Sequence, residues 1–369
     1  MNSWDSLLTL PFGAFIGLLT SSNERNDLGS VLIPPGVGEK EQEQWKSWLE
    51  SQPDDVVVKA KLLVPALTNP AWIARITFVD ESDRIVTLFA VKKTDNPDDT
   101  LILCTSQPRD TIRIDTVPSI HHLASDLADF ITPGPPLARE TLSLQMPLAS
   151  FLTLAGISDL FRRRRYASLL DDTTITDSFT PQEVQAVIAL TNDRPDLRWF
   201  LSHLLSVTSI EPNRALSLGL EREFSWLLEH SFIKENNGEY TCSENCQSLI
   251  ESFNSGTSRL GIAVLKLAME NEILMDSSYF IRAPFLIWGI CIGDTSEIPT
   301  VITTLNFQEI LTFMDALFTK VETLEKREHP RTAPQEPNIF CKSCGAPLPS
   351  TAKFCRKCGK PVHPDEGGE

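Results

Sequence analysis

The sequence is poor in the residues that most often carry chemistry. It has six histidines and three tyrosines in 369 residues. His121 and His122 are adjacent, so a helix would point them to different faces, and they do not make a ligand pair. There is no G-x-G-x-x-G, no P-loop, no H-E-x-x-H and no G-x-S-x-G, which removes the common nucleotide, zinc-protease and serine-hydrolase signatures. No carboxylate pair and no Ser/His/Asp or Cys/His set stands out. The expectation is a protein that is not an enzyme, and no small-molecule substrate is identified.

Positive charge is also in short supply. Thirty-three basic residues face 49 acidic ones, for a net charge of −16. A surface of that sign is repelled by phosphate backbones and anionic lipid. Long hydrophobic runs are lacking as well. The longest candidate, Ala283–Gly293, is about half the roughly 20 residues a membrane helix needs. The apolar start of the chain has no basic stretch before it and is interrupted by Asp5 and Pro11. A cytoplasmic protein without a membrane span is therefore expected. Cysteine is too sparse for a disulfide scaffold. Cys104, Cys242, Cys246 and Cys291 are scattered and read as inert thiols, and Cys242 with Cys246 has no second pair nearby.

What is present suggests an α+β fold: antiparallel sheet with packed helices, then a small C-terminal module. Residues 1–135 read as an N-terminal α+β domain. Within it, VVVKAKLLV (56–64), WIARITFVD, RIVTLFAVK, TLILCTSQ and TIRIDTVP form a run of strands with turn signals between them. A helix follows at Ser119–Ile131. Residues 136–327 read as a second domain, helical at first. It includes a helix over Met146–Leu160, four arginines at Arg162–Arg165, and a capping box at Thr180 and Glu183. A helix, a hairpin with Asn237-Gly238 at its tip, and a further helix then succeed one another in winged-helix-like order. Residues 56–131 and 258–319 share an outline of strands followed by a helix, which points to an internal duplication. Residues 328–338 carry three prolines and read as an extended linker. Residues 339–362 form the module, and 363–369 an acidic tail.

The module holds the strongest motif, CKSCGAPLPSTAKFCRKCGK. Cys341 and Cys344 form one pair, and Cys355 and Cys358 a second. Gly345 and Gly359 follow the second cysteine of each. A glycine there admits positive φ and lets backbone amides turn toward the sulfurs. Two such knuckles facing each other make a tetrahedral thiolate cage, with Zn–S bonds of about 2.3 Å. Four thiolates leave no open position, so the reading is one structural zinc ion and no catalytic role. A piece this short cannot bury a core, so the metal must supply its folding free energy, on the order of 10–16 kcal/mol. Lys342, Lys353, Arg356, Lys357 and Lys360 give residues 338–362 a charge of +5, which leaves −21 on the remainder. These five are the candidate partner-binding residues.

The two segments FCKSCG (340–345) and FCRKCG (354–359) resemble the zinc-ribbon domains found at the ends of many bacterial and archaeal proteins. The resemblance implies the fold and the metal of this segment and leaves its task open. The body's element order, two strand-rich halves joined by helices, is similar to the EspG family of type VII secretion chaperones, which implies binding of a helical secretion substrate. The functional expectation is an interaction protein, an adaptor or chaperone, with another protein as partner. The alternative is a nucleic-acid-associated regulator acting through the basic ribbon or the winged-helix-like unit. Against that unit, residues 196–254 carry four basic and nine acidic residues, the wrong balance for tracking phosphates.

Overall fold

A computed structural model describes residues 5–21, 27–33, 39–79, 82, 84–93, 100–107, 110–132, 142–172, 174–207, 220–267, 273–293, 299–320, 339–340 and 347–348. Residues 1–324 make one compact unit and residues 325–369 a second. In chain order the first half of the larger unit contains β1 (Asp5–Pro11), α1 (Phe12–Thr20), α2 (Asp27–Val31), α3 (Glu39–Glu50), α4 (Asp54–Thr68), β2 (Trp72–Val79), β3 (Ile85–Lys92), β4 (Leu101–Gln107), β5 (Thr111–Val117) and α5 (Ile120–Ile131). The second half opens with β6 (Ser143–Met146) and α6 (Leu148–Asp171). After these come β7 (Ser178–Phe179), α7 (Pro181–Asp193), α8 (Phe200–Val207), α9 (Glu221–Glu229), β8 (Ile233–Asn236), β9 (Glu239–Cys242) and α10 (Glu244–Asn254). It closes with β10 (Ser258–Leu267), β11 (Ile273–Arg282), β12 (Ile287–Cys291), β13 (Thr300–Thr304) and α11 (Phe307–Lys320).

Ten of these strands form a single antiparallel sheet in the order β1-β5-β4-β3-β2-β10-β11-β12-β13-β6. The order is symmetric about the β2–β10 pair, whose register runs from Arg259 opposite Val79 to Lys266 opposite Trp72. On each side four consecutive strands lead outward and are followed by a helix, α5 or α11. On each side, too, an earlier strand-plus-helix unit (β1-α1 or β6-α6) supplies the edge. The internal duplication is therefore visible in the topology. It also reaches further than residues 56–131 and 258–319, because the edge units belong to the repeat. Stretches 1–135 and 136–327 contribute one half each to a shared sheet.

The sheet is buried on both faces, as its near-continuous apolar strands require. One face carries α5 and α11. There Leu123, Leu127 and Ile131 pack with Ile310, Met314 and Phe318 over Ile76, Leu101 and Ile262. Trp72, fully buried, stacks on Phe318 with centroids 6.1 Å apart. The opposite face is covered over the first half by α1–α4 and over the second half by the α6–α10 region, each with its own apolar cluster. Each large side chain buried this way contributes about 1.5–3 kcal/mol. In the first of these clusters α1 crosses α3 closely at Gly17. A Cβ at that position would lie 2.0 Å from the main-chain oxygen of Glu41.

Two local expectations are corrected. Residues 56–64 are not a strand but the middle of α4. Pro53 stands at its N-cap position, and Asp54 and Asp55 occupy the first turn, where a carboxylate suits the helix dipole. Its buried residues, Ala60, Leu63 and Leu67, recur at helical spacing, while the β-branched run Val56–Val58 is half-buried or exposed. The helix expected at Met146–Leu160 runs on to Asp171, straight through the arginines. Residues 150–160 are buried on every side, so that stretch has no polar face, and it stops showing helical periodicity before the helix stops.

The winged-helix-like unit is present. The Asn237-Gly238 turn has φ of 53° and 84°, the left-handed pair that a tight hairpin needs. β7 adds to this hairpin on the β9 side, giving a three-stranded sheet in the order β7-β9-β8 beside α7, α9 and α10. Thr180 and Glu183 form the full capping box at the start of α7.

Candidate functional site

In the C-terminal unit, β14 (Ile339–Phe340) pairs antiparallel with β15 (Pro347–Leu348), with Phe340 opposite Pro347. In the sequence, Cys341, Cys344 and Gly345 stand between these two strands. Four cysteines as a donor set suit zinc. Cys341, Cys344, Cys355 and Cys358 themselves lie outside the described residues, as do Lys342, Lys353, Arg356, Lys357 and Lys360.

In the larger unit the titratable side chains that look reactive in isolation are locked into the core. Asp159 on α6 is fully buried. Its two oxygens accept from the amides of Phe200, at 3.0 Å, and Leu201, at 2.9 Å. It thus caps the start of α8 from a different helix, using amides that have no partner within α8. Burial pushes its pKa up, against the opposing pull of these amides and of Arg259 and Arg163. His203 on α8 is also fully buried. Its Nε2 lies 3.2 Å from the Thr77 carbonyl and its Nδ1 lies 2.8 Å from the Tyr279 hydroxyl. A carbonyl only accepts, so Nε2 carries the proton and Nδ1 accepts from Tyr279. Burial, reinforced by the charge of Arg259, lowers the His203 pKa to about 3. Arg259 donates to the Arg198 carbonyl at 2.8 Å. The cluster ties α6, α8, β2, β10 and β11 together and has no access for a substrate. Sequence reasoning left His203 unremarked, because a single histidine in an apolar helix carries no pattern.

The arginine run is divided among separate tasks. Arg164 donates to the carbonyls of Thr176 and Ser178 and pairs with Glu183 at 2.6 Å. Partial burial of Glu183 would raise its pKa, yet the Thr180 amide and Arg164 hold it below the usual carboxylate value. Arg163 lies 3.9 Å over the Trp199 ring, and Arg162 donates to the Arg198 carbonyl at 2.8 Å. These contacts brace α6 against its neighbours. Arg165 is exposed, and its guanidinium has no partner among the described residues.

Cys242 and Cys246 are both buried and free. The neighbouring Cys246 thiol, and then burial, raise the Cys242 pKa, which keeps it protonated and inert. Among the described residues, no group of three or more His, Cys, Asp or Glu side chains is placed to hold a metal, and no helix is long and apolar enough to cross a membrane. A cavity of about 490 Å³ lies between the first half of the sheet and α5, lined by Phe78, Thr105, Arg113, Asp115, Asp126 and Phe130 among others. Arg113 neutralises the buried Asp115 there at 2.7 Å.

The larger unit is thus an α+β body with a duplicated sheet, and the smaller unit contains the strand pair β14–β15. Residues 340–362 match the zinc-ribbon domain family, so this segment is a zinc-binding module. No curated protein matches the chain.

Proposed function

We propose that the protein is a non-enzymatic interaction protein, an adaptor or chaperone, whose ribbon is held by one structural zinc ion on Cys341, Cys344, Cys355 and Cys358. The observation that carries this reading is the fate of Asp159, His203 and Tyr279. These three side chains join elements of the body in a part of the core closed to substrate. The winged-helix-like unit presents Glu221, Glu223, Glu229, Glu235, Glu239 and Glu244 on α9, its hairpin and the start of α10. This excess of acidic side chains favours a protein partner over a phosphate backbone. The similarity of the two joined strand-rich halves to EspG-type chaperones makes a helical secretion substrate the first partner to test.

The test is a pull-down of the full chain from the native cell, with partners identified by mass spectrometry. Recovery of a specific small or helical protein supports the proposal, and recovery of nothing beyond an unrelated bait removes it. A second reading, nucleic-acid association, is favoured by the ribbon alone, through Lys342, Lys353, Arg356, Lys357 and Lys360. Salt-sensitive mobility shifts with DNA or RNA, abolished by Arg356→Ala with Lys357→Ala, would establish it.

A further inference from the structure

Helix α6 has two unlike parts. Residues 150–160 are buried all round, and the remainder to Asp171 emerges from the core. The emergent part carries the two most exposed large apolar residues described, Leu169 at 76% and Leu170 at 84%, with Tyr166 at 48%. A groove of about 670 Å³ runs beside it, lined by Phe161, Arg162, Arg165, Tyr166, Leu169 and Ile175 among others. Apolar residues clustered in this way on a helix end mark a covered surface.

The charges beside those leucines indicate what covers them. Arg165, Asp171 and Asp172 are exposed, and the Arg165 guanidinium and the two carboxylates have no partner among the described residues. Arg165 and Leu169 lie one turn apart on the helix, and Asp172, its left-handed C-cap, stands just beyond, so base, leucines and acids follow one another as a short stripe at the end of α6. The two aspartates sit at the C-terminal end, where the helix dipole is negative, and no basic residue occupies the last turn. This end of the helix therefore calls for a cation from outside.

We infer that the emergent half of α6 is a self-association surface, packing antiparallel against α6 of a second copy of this chain. The stripe is its own complement. With the two-fold axis near Leu169, Arg165 of each copy meets Asp172 of the other, and Leu169 and Leu170 of both copies close over the axis. Such an isologous contact needs residue i to meet residue j twice, and residues 165–172 meet that condition. The body's net negative charge opposes self-association in general, so the attraction resides in this stripe.

The test is sedimentation velocity on the full chain over a concentration series, with circular dichroism and the thermal transition of each variant as folding controls. The wild type dimerises. Leu169→Lys and, independently, Leu170→Lys give monomer with an unchanged transition, since both sites are exposed. Arg165→Asp raises the dimer dissociation constant by about tenfold or more, and adding Asp172→Arg to it restores the wild-type value to within about threefold. A wild type that stays monomeric at its highest soluble concentration overturns the inference. So does a dimer indifferent to both leucine variants, or a double charge exchange that recovers nothing.

Discussion

Acidification should destabilise the body through His203 well before the carboxylates titrate. In the fold the imidazole is neutral, with its proton on Nε2 facing the Thr77 carbonyl and Nδ1 accepting from Tyr279. Protonating Nδ1 would place a cation in the core near Arg259 and force the Tyr279 hydroxyl to turn from donor to acceptor. The pKa accordingly falls from the ordinary 6.5 to about 3. A basic group whose folded pKa is depressed binds fewer protons folded than unfolded between those two values. Stability therefore rises with pH through that window and is lost as pH falls below 6.5. The slope is about 1.4 kcal/mol per pH unit, so moving from about pH 7.5 to about pH 5 should cost about 2 kcal/mol from this residue alone. The assay is urea unfolding of wild type and His203→Gln at both pH values. The glutamine keeps one donor and one acceptor but cannot charge. The variant is expected to be less stable at pH 7.5 and to lose about 2 kcal/mol less than wild type on acidification. Equal losses in the two proteins would refute the assignment of a buried neutral imidazole.

Asp159→Ala strands two helix-start amides and the nearby Arg259 charge in the core. It should destabilise the body by about 3–5 kcal/mol, with Asp159→Asn less severe, as measured by denaturant midpoint. Gly17→Ala forces α1 away from the Glu41 carbonyl and should cost about 1–3 kcal/mol; a variant as stable as wild type would mean that α1 and α3 do not cross so closely. Cys344→Ser should release zinc, read by elemental analysis, and leave the main thermal transition of the body unchanged. Loss of that transition would show that residues 328–338 do not insulate the body.

The parts legible in the sequence are those written in local pattern. Alternating apolar residues marked the strands, Asn237-Gly238 marked the hairpin, and Thr180 with Glu183 marked a helix start. Each depends on neighbours a few positions away. The duplication was legible only as an outline. A closer sign lay in Leu8, Pro11, Phe15 and Leu18, which match Leu144, Pro147, Phe151 and Leu154 at constant offset. Those pairs place the two edge strands and the helices that follow them. Residues 56–64 misled because Val and Leu suit a buried strand and a buried helix face alike, and packing decides between them.

By itself, the sequence marked residues 340–362 as a zinc ribbon, because such a segment is written in cysteine type and spacing. The cysteine knuckles need no distant residue to be recognised. It also determined the acidity of the body. Tertiary structure alone decided that β2 and β10, nearly 190 residues apart, join two halves into one sheet. It decided likewise that Asp159 caps a helix other than its own, that His203 stays neutral, and that the second half of α6 stands clear of the core. These outcomes depend on which surfaces meet and how much water they exclude.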